Sequence, residues 1–272
     1  MDKKREFDKI VSDIKSIKIQ GARNVAKFAL KAYSLVPTKS SKEKLINSRP
    51  TEPMMFYALN LAERKTPISK VLEHFDSAQN KINEAVFKLI KSNEVIFTHC
   101  HSTNVINALI YSHKKGKKFQ VYNTETRPLF QGRKTATELK KAGIKVTMFV
   151  DSGLSVAISG KQGNKKVDKI LIGADALLKD GIINKIGSEL VSQIAKDNKV
   201  PVYIVADSWK FSKSKIKIEQ RNLNEVWDNA PKNIKIKNPA FEFVPNKLIS
   251  GIITEYGLMK YDEFVKRMKG GK

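Results

Sequence analysis

The 272-residue chain contains one cysteine, Cys100, so an intrachain disulfide is impossible and a structural zinc site built on several thiolates is excluded. No uninterrupted apolar run approaches the roughly 18 residues that span a bilayer, and the basic opening MDKKREFDKI has no apolar signal-peptide core behind it. No membrane association and a cytoplasmic location are therefore expected. The patterns GxGxxG, Walker loop, HExxH and GxSxG are all missing, which removes the commonest nucleotide, zinc-protease and serine-hydrolase readings. Acidic residues are few, 27 against 51 lysines and arginines, for a formal net charge of +24.

What is present reads as a folded protein, with 41% apolar and 29% charged residues. The positive excess predicts attraction to phosphates or other polyanions. It is spread along the chain as lysine, with one dense stretch from Lys210 to Lys217, read as a solvated loop. No aromatic-interleaved basic motif marks a nucleic-acid module.

Apolar spacing divides the chain in two. Phe7, Ile10, Ile14 and Ile17, then Val25, Phe28, Ala29 and Ala32, recur at helical intervals, and an amphipathic stretch follows from Ile68 to Ile90. After Asn93 short apolar runs (VIFTH, FQVYN, VTMFV, KILIG, VYIVA) alternate with helical segments predicted from Ser102, Lys134 and Gly187. The expected fold is α/β: a helical N-terminal domain, residues 1–92, followed by a Rossmann-like parallel-sheet domain, residues 93–272.

Ligands of such sheets sit at the carboxyl ends of the strands. Those ends carry His99-Cys100-His101-Ser102, Thr124-Glu125-Thr126-Arg127-Pro128, Asp151-Ser152-Gly153, Gly173-Ala174-Asp175 and Asp207-Ser208. Cys100, just before a helix start that would lower its pKa, is either a working thiol or a packed one. Asp175, after the apolar run ILIG, is either a carboxyl with a raised pKa suited to general acid chemistry or merely a helix cap or surface-turn residue. His99 and His101 flank Cys100, but alternation in an extended chain would turn the thiol away from both, so no metal site is expected there. Asn184-Lys185, in the predicted loop GIINKIGS, offers an amide and an ammonium; Arg23 and Arg49 lie near helix starts and are either phosphate ligands, where guanidinium and backbone N–H groups act together, or surface arginines.

These segments resemble a known superfamily. THCHS, TETRPLFQGRKTA, GIKVTMFVDS, GADALLKDGIINKIGS and VADSWKF, with GARNVA, SRPT and NPAFEFVPNKLISGIITEYG, are similar in collinear order to the group joining ribose-1,5-bisphosphate isomerases, methylthioribose-1-phosphate isomerases and the alpha, beta and delta subunits of translation initiation factor 2B. GARNVA and the short helical N-terminal region resemble the bisphosphate isomerases more. The isomerases carry a cysteine after the first strand and an aspartate in GAD, both present here. The chain departs at Gly153-Leu154, where small alanine-like residues are usual, and at Asp207-Ser208-Trp209, where Glu-Ser/Thr-Phe/Tyr is usual; either departure would bear on specificity or on an oligomer interface.

The resemblance implies aldose-ketose isomerisation with Cys100 and Asp175 as the acid/base pair and no metal or redox cofactor. It also implies Gly21, Ala22, Arg23 and Arg49 on one phosphate, and Arg127, Gln131, Asn184, Lys185 and Lys210 facing the sugar and a second phosphate. A homo-oligomer, dimer or hexamer, is implied, and an activating nucleotide is compatible with it. Two alternatives stay open: a non-catalytic regulatory subunit that docks on initiation factor 2, and a methylthioribose-1-phosphate isomerase with an apolar pocket in place of the second phosphate site.

Overall fold

The computed structural model describes every residue except Met1, Lys217, Glu219, Gly271 and Lys272; Lys217, the end of the lysine-rich stretch, thus lies outside the described residues. Five helices precede the first strand: α1 (Lys3–Lys15), α2 (Ala22–Leu35), α3 (Lys39–Ser48), α4 (Pro53–Glu63) and α5 (Ile68–Leu89). Local chemistry sets their starts. The Asp2 carboxylate accepts the Lys4 N–H at 3.0 Å, the Thr38 hydroxyl accepts the Ser41 N–H at 3.1 Å, and Pro53 opens α4, where its missing N–H costs no hydrogen bond.

The alternating segment then runs β1 (Val95–Thr98), α6 (Thr103–Lys114), β2 (Gln120–Thr124), α7 (Gln131–Lys141), β3 (Lys145–Phe149), α8 (Leu154–Ser159), β4 (Lys169–Ile172), β5 (Ala176–Leu177), β6 (Gly181–Lys185), α9 (Ser188–Asp197) and β7 (Val202–Val205). A long irregular connection leads to β8 (Phe241–Pro245), β9 (Gly251–Thr254), β10 (Gly257–Met259) and α10 (Tyr261–Gly270). The main sheet has the order β10-β9-β7-β4-β1-β2-β3, parallel except for β10. The five predicted runs are β1, β2, β3, β4 and β7.

A second, antiparallel sheet, β5-β6-β8, was not expected from the sequence. GIINK, read as loop, is its central strand and is buried along its whole length. Its register against β8 pairs Asn184 with Glu242 and Lys185 with Phe241, which fixes where the amide and the ammonium emerge.

Helix α5 joins the two halves. Its amphipathic face buries Val71 and Phe75 among the N-terminal helices, while Ile82 and Val86 pack in the cluster formed by β1 and α6. Fully burying each such apolar side chain contributes about 1.5–3 kcal/mol. Trp209, just after β7, adds a second joint: it stacks on His74 of α5 with coplanar rings 3.6 Å apart and lies 4.7 Å from Tyr57 of α4. The tryptophan that departs from the family pattern is therefore an internal contact between the sheet and the helices. Leu154 likewise is buried in the main core rather than presented outward.

Candidate active site

A cleft of about 170 Å³ lies between the N-terminal helices and the carboxyl ends of β1, β4, β6 and β7. Of the residues singled out in the sequence, Cys100, Asp175, Gly21, Ala22, Arg23, Arg49, Gln131, Asn184, Lys185 and Lys210 all line it. Segments 21 to 210 of the chain converge on one space.

On the helical side, Gly21 caps α2 with φ 84°, a left-handed geometry that glycine adopts without strain, and no side chain caps the helix. The first turn of α2, with Arg23 in it, therefore presents its N–H groups to the cleft without a side-chain cap. Arg23 also pairs with Asp76 across the cleft rim. Arg49, buried at the corner between α3 and α4, donates to Glu52 at 3.0 Å.

On the sheet side, Cys100 follows β1 with φ 65°, a conformation unusual for a residue with a side chain. Two threonines hold it there. The Cys100 N–H donates to the Thr126 hydroxyl at 3.0 Å, and its carbonyl accepts from the Thr135 hydroxyl at 2.8 Å. The segment is thus not extended at Cys100, so simple alternation does not describe how the thiol is aimed.

Burial pushes the Cys100 thiol up to about 11; the Lys185 ammonium and the His101 backbone N–H oppose this, while the carboxylates of Asp175 and Asp151 reinforce it. The expected lowering by the helix start is outweighed by desolvation. At neutral pH Cys100 is therefore a thiol.

Asp175 is carried by the turn between β4 and β5, where its N–H donates to the Ile183 carbonyl at 2.8 Å. Gly173 lets this turn approach α6: a Cβ there would come within 2.5 Å of the Ser102 Oγ. Lys210 belongs to the lysine-rich stretch read as solvated, but it is buried and its Nζ donates to the Ala174 carbonyl at 2.6 Å. Asn184 donates to the Ser188 hydroxyl at 2.8 Å, and the Lys185 ammonium lies 5.1 Å from the centre of the Phe241 ring.

Arg127 is not brought to the cleft. It is exposed, donates to the Val226 carbonyl at 3.0 Å, and lies 4.9 Å from the centre of the Phe130 ring. Residues given no site role from the sequence complete the walls instead: Ser102, named only as a strand end, with Thr103 and Asn104 at the start of α6, and Gln79, Lys134, Arg221 and Phe241. The α6 start had the signal of a helix beginning directly after a strand end. Gln79 exchanges hydrogen bonds with Asn104, donating to its carbonyl at 3.3 Å and accepting from its side-chain amide at 2.9 Å. This ties α5 to the cleft floor.

The histidines beside the thiol have separate duties. Buried His99 lies 2.8 Å from the Ile186 carbonyl through Nε2 and 2.7 Å from the Thr124 hydroxyl through Nδ1. A carbonyl only accepts, so Nε2 carries the proton and Nδ1 accepts from Thr124. Burial lowers the pKa of His99 and keeps this neutral form. His101 instead faces Glu138, 3.2 Å away, with its pKa lowered by burial first and Lys134 next.

His74, Asp207 and Glu255 bring ligand-type atoms within 4.8 Å of one another. All three are already engaged: both Asp207 oxygens lie 3.2 Å from His74 Nε2, Asp207 also accepts from the Trp209 N–H at 2.8 Å, and Glu255 accepts from the Ser208 N–H at 3.0 Å. The cluster is a polar junction beneath Trp209, in which burial and then Asp207 raise the pKa of Glu255.

Comparison with known proteins agrees with this architecture. The chain is 33% identical to the ribose 1,5-bisphosphate isomerase of Archaeoglobus fulgidus, over 90% of the chain and 86% of that protein. It is 34% identical to a methylthioribose-1-phosphate isomerase of Thermoanaerobacter sp., over 84% of the chain and 76% of that protein. Its fold matches the crystal structure of the Pyrococcus horikoshii OT3 translation initiation factor eIF-2B with a TM-score of 0.81 at 24% identity, covering 93% of this chain and 96% of the other. Residues 15–261 fit the sequence pattern of the initiation factor 2 subunit family, and the chain belongs to that family.

Proposed function

We propose that the protein is an aldose-ketose isomerase converting ribose 1,5-bisphosphate to ribulose 1,5-bisphosphate. The observation that carries this reading is the placement of Cys100 and Asp175 on one cleft whose walls are basic on both sides, Arg23 and Arg49 from the helices, Lys185 and Lys210 from the sheet. A sugar with a phosphate at each end needs this arrangement. The relative in Archaeoglobus fulgidus bears the corresponding name.

In this reading the Asp175 carboxyl donates its proton to the ring oxygen as the bond from C1 to that oxygen breaks. The Cys100 thiolate removes the C2 proton, and the released electron pair forms the C1–C2 double bond of an enol. The Cys100 thiol then returns its proton to C1 while the Asp175 carboxylate takes the 2-hydroxyl proton, leaving a carbonyl at C2 and both groups as they began. One proton is shared by the pair. Catalysis starts with that proton on Asp175, and Lys185 favours this by stabilising the Cys100 thiolate. Gly21, Ala22, Arg23 and Arg49 would hold one phosphate, and Gln131, Asn184, Lys185 and Lys210 the sugar and the far end.

Residues 1–92 would then be a helical domain closing over a catalytic and oligomerising domain, residues 93–272. A homo-oligomer is supported by β3, an edge strand that leaves Met148 exposed, with Val150 exposed just beyond its end. No helix among the described residues is long and apolar enough to cross a membrane, in keeping with a cytoplasmic enzyme. The test is conversion of ribose 1,5-bisphosphate by purified protein beside Cys100→Ser and Asp175→Asn. Turnover lost in both variants supports the assignment. Preferred turnover of methylthioribose 1-phosphate would redirect it to that substrate, and no turnover of either by folded protein would favour a regulatory subunit.

A further inference from the structure

Among the described residues, six basic side chains line the cleft (Arg23, Arg49, Lys134, Lys185, Lys210 and Arg221) against three acidic ones (Glu52, Asp175 and Asp207). Arg221 comes from the irregular connection between β7 and β8, far from any segment marked by a motif. Its guanidinium carbon lies 5.9 Å from the centre of the Phe241 ring, the same ring that Lys185 approaches at 5.1 Å. Two cations thus share one aromatic plate in the wall beside Asn184. A guanidinium fork matches phosphate oxygens in a way the single ammonium of Lys185 cannot.

The stretch carrying Arg221 is anchored on both sides. The Arg221 N–H donates to the Asn238 carbonyl at 2.9 Å, while the Asn238 side-chain amide donates to the Asn222 carbonyl at 2.9 Å and to Glu225 at 3.0 Å. From outside the cleft, Arg127 donates to the Val226 carbonyl, closing the same turn against the end of β2.

We infer that Arg221, with Lys185 across the Phe241 ring, holds the second phosphate of the substrate, and that Arg127 is a positioning residue that steadies the turn presenting Arg221. This rests on the bisphosphate reading above. It gives Arg127, the arginine of TETRP, an indirect role in place of direct contact.

The experiment is calorimetric titration of the full-length protein with ribulose 1,5-bisphosphate, ribulose 1-phosphate and ribulose 5-phosphate, using wild type, Arg221→Met, Arg221→Lys, Arg127→Met and the double variant Arg221→Met/Arg127→Met. Circular dichroism verifies that each is folded. Arg221→Met is expected to weaken the bisphosphate about tenfold to hundredfold, the range for charge-assisted hydrogen bonds to a charged group. It should weaken one monophosphate similarly and leave the other unchanged, with Arg221→Lys intermediate. Arg127→Met should weaken the bisphosphate less, and should have no further effect once Arg221 is replaced. An equal loss for all three ligands, or none for any, overturns the Arg221 assignment. Additive losses in the double variant overturn the role of Arg127. Failure of the wild type to bind the bisphosphate removes the substrate reading itself, and this inference with it.

Discussion

Because Cys100 is the only cysteine, alkylation of the intact protein reports on that one side chain without interference. Only the thiolate reacts, and burial has pushed the thiol up from 9.0 to about 11. At pH 7.5 the thiolate fraction is then about a hundredfold smaller than that of an unperturbed thiol. Iodoacetamide labelling followed by intact mass should accordingly run about a hundredfold slower in the native protein than in denaturant. Restricted access would also slow labelling, but by a constant factor. The pH profile separates the two: desolvation predicts a tenfold rise per pH unit that continues through pH 10, whereas steric shielding of an ordinary thiol predicts a plateau just above pH 9. A plateau there, in protein shown by circular dichroism to remain folded, would refute the assignment of a thiol resting state. Lys185→Met removes the largest influence favouring the thiolate, so its native labelling should be slower still at every pH below the plateau. The sign for stability follows. The raised pKa contributes stability that is fully present below the unfolded value near 9, and lost as pH climbs from there towards 11.

Three further outcomes are expected. Asp175→Asn retains shape but carries no transferable proton, so turnover of ribose 1,5-bisphosphate should fall by about 10²–10⁴ with little change in affinity for the product. His99→Leu leaves the Ile186 carbonyl and the Thr124 hydroxyl without their buried partner, and chemical denaturation should show a loss of about 2–4 kcal/mol. Trp209→Ala removes the ring that stacks on His74 and tilts against Tyr57, so amide exchange should rise where α4 and α5 meet the end of β7, with a global loss of about 2 kcal/mol for this partly buried aromatic.

The parallel sheet was legible because burial on both faces forces apolar runs, and helical spacing between them leaves few other arrangements. The polar strand ends located the cleft for the same topological reason. GIINK escaped notice because Asn184 and Lys185 look like loop chemistry, while its strand character comes from pairing with β8, some sixty positions later in the chain. The same pairing lifts the Lys185 ammonium to the Phe241 ring, in the wall of the cleft.

Local sequence misjudged two groups for opposite reasons. At Cys100 the helix start was visible but the surrounding core was not, and desolvation outweighs the few N–H groups the helix supplies. At Arg127 a charge inside a distinctive motif looked like a ligand, yet its nearest acceptor is a backbone carbonyl of a remote turn. Arg221 had no comparable marker. Asn238, itself buried, pins both the Arg221 N–H and the residues after it beside the cleft. A motif therefore marks where chain segments meet, and whether a given side chain there touches substrate or holds the group that does is decided by partners distant in sequence.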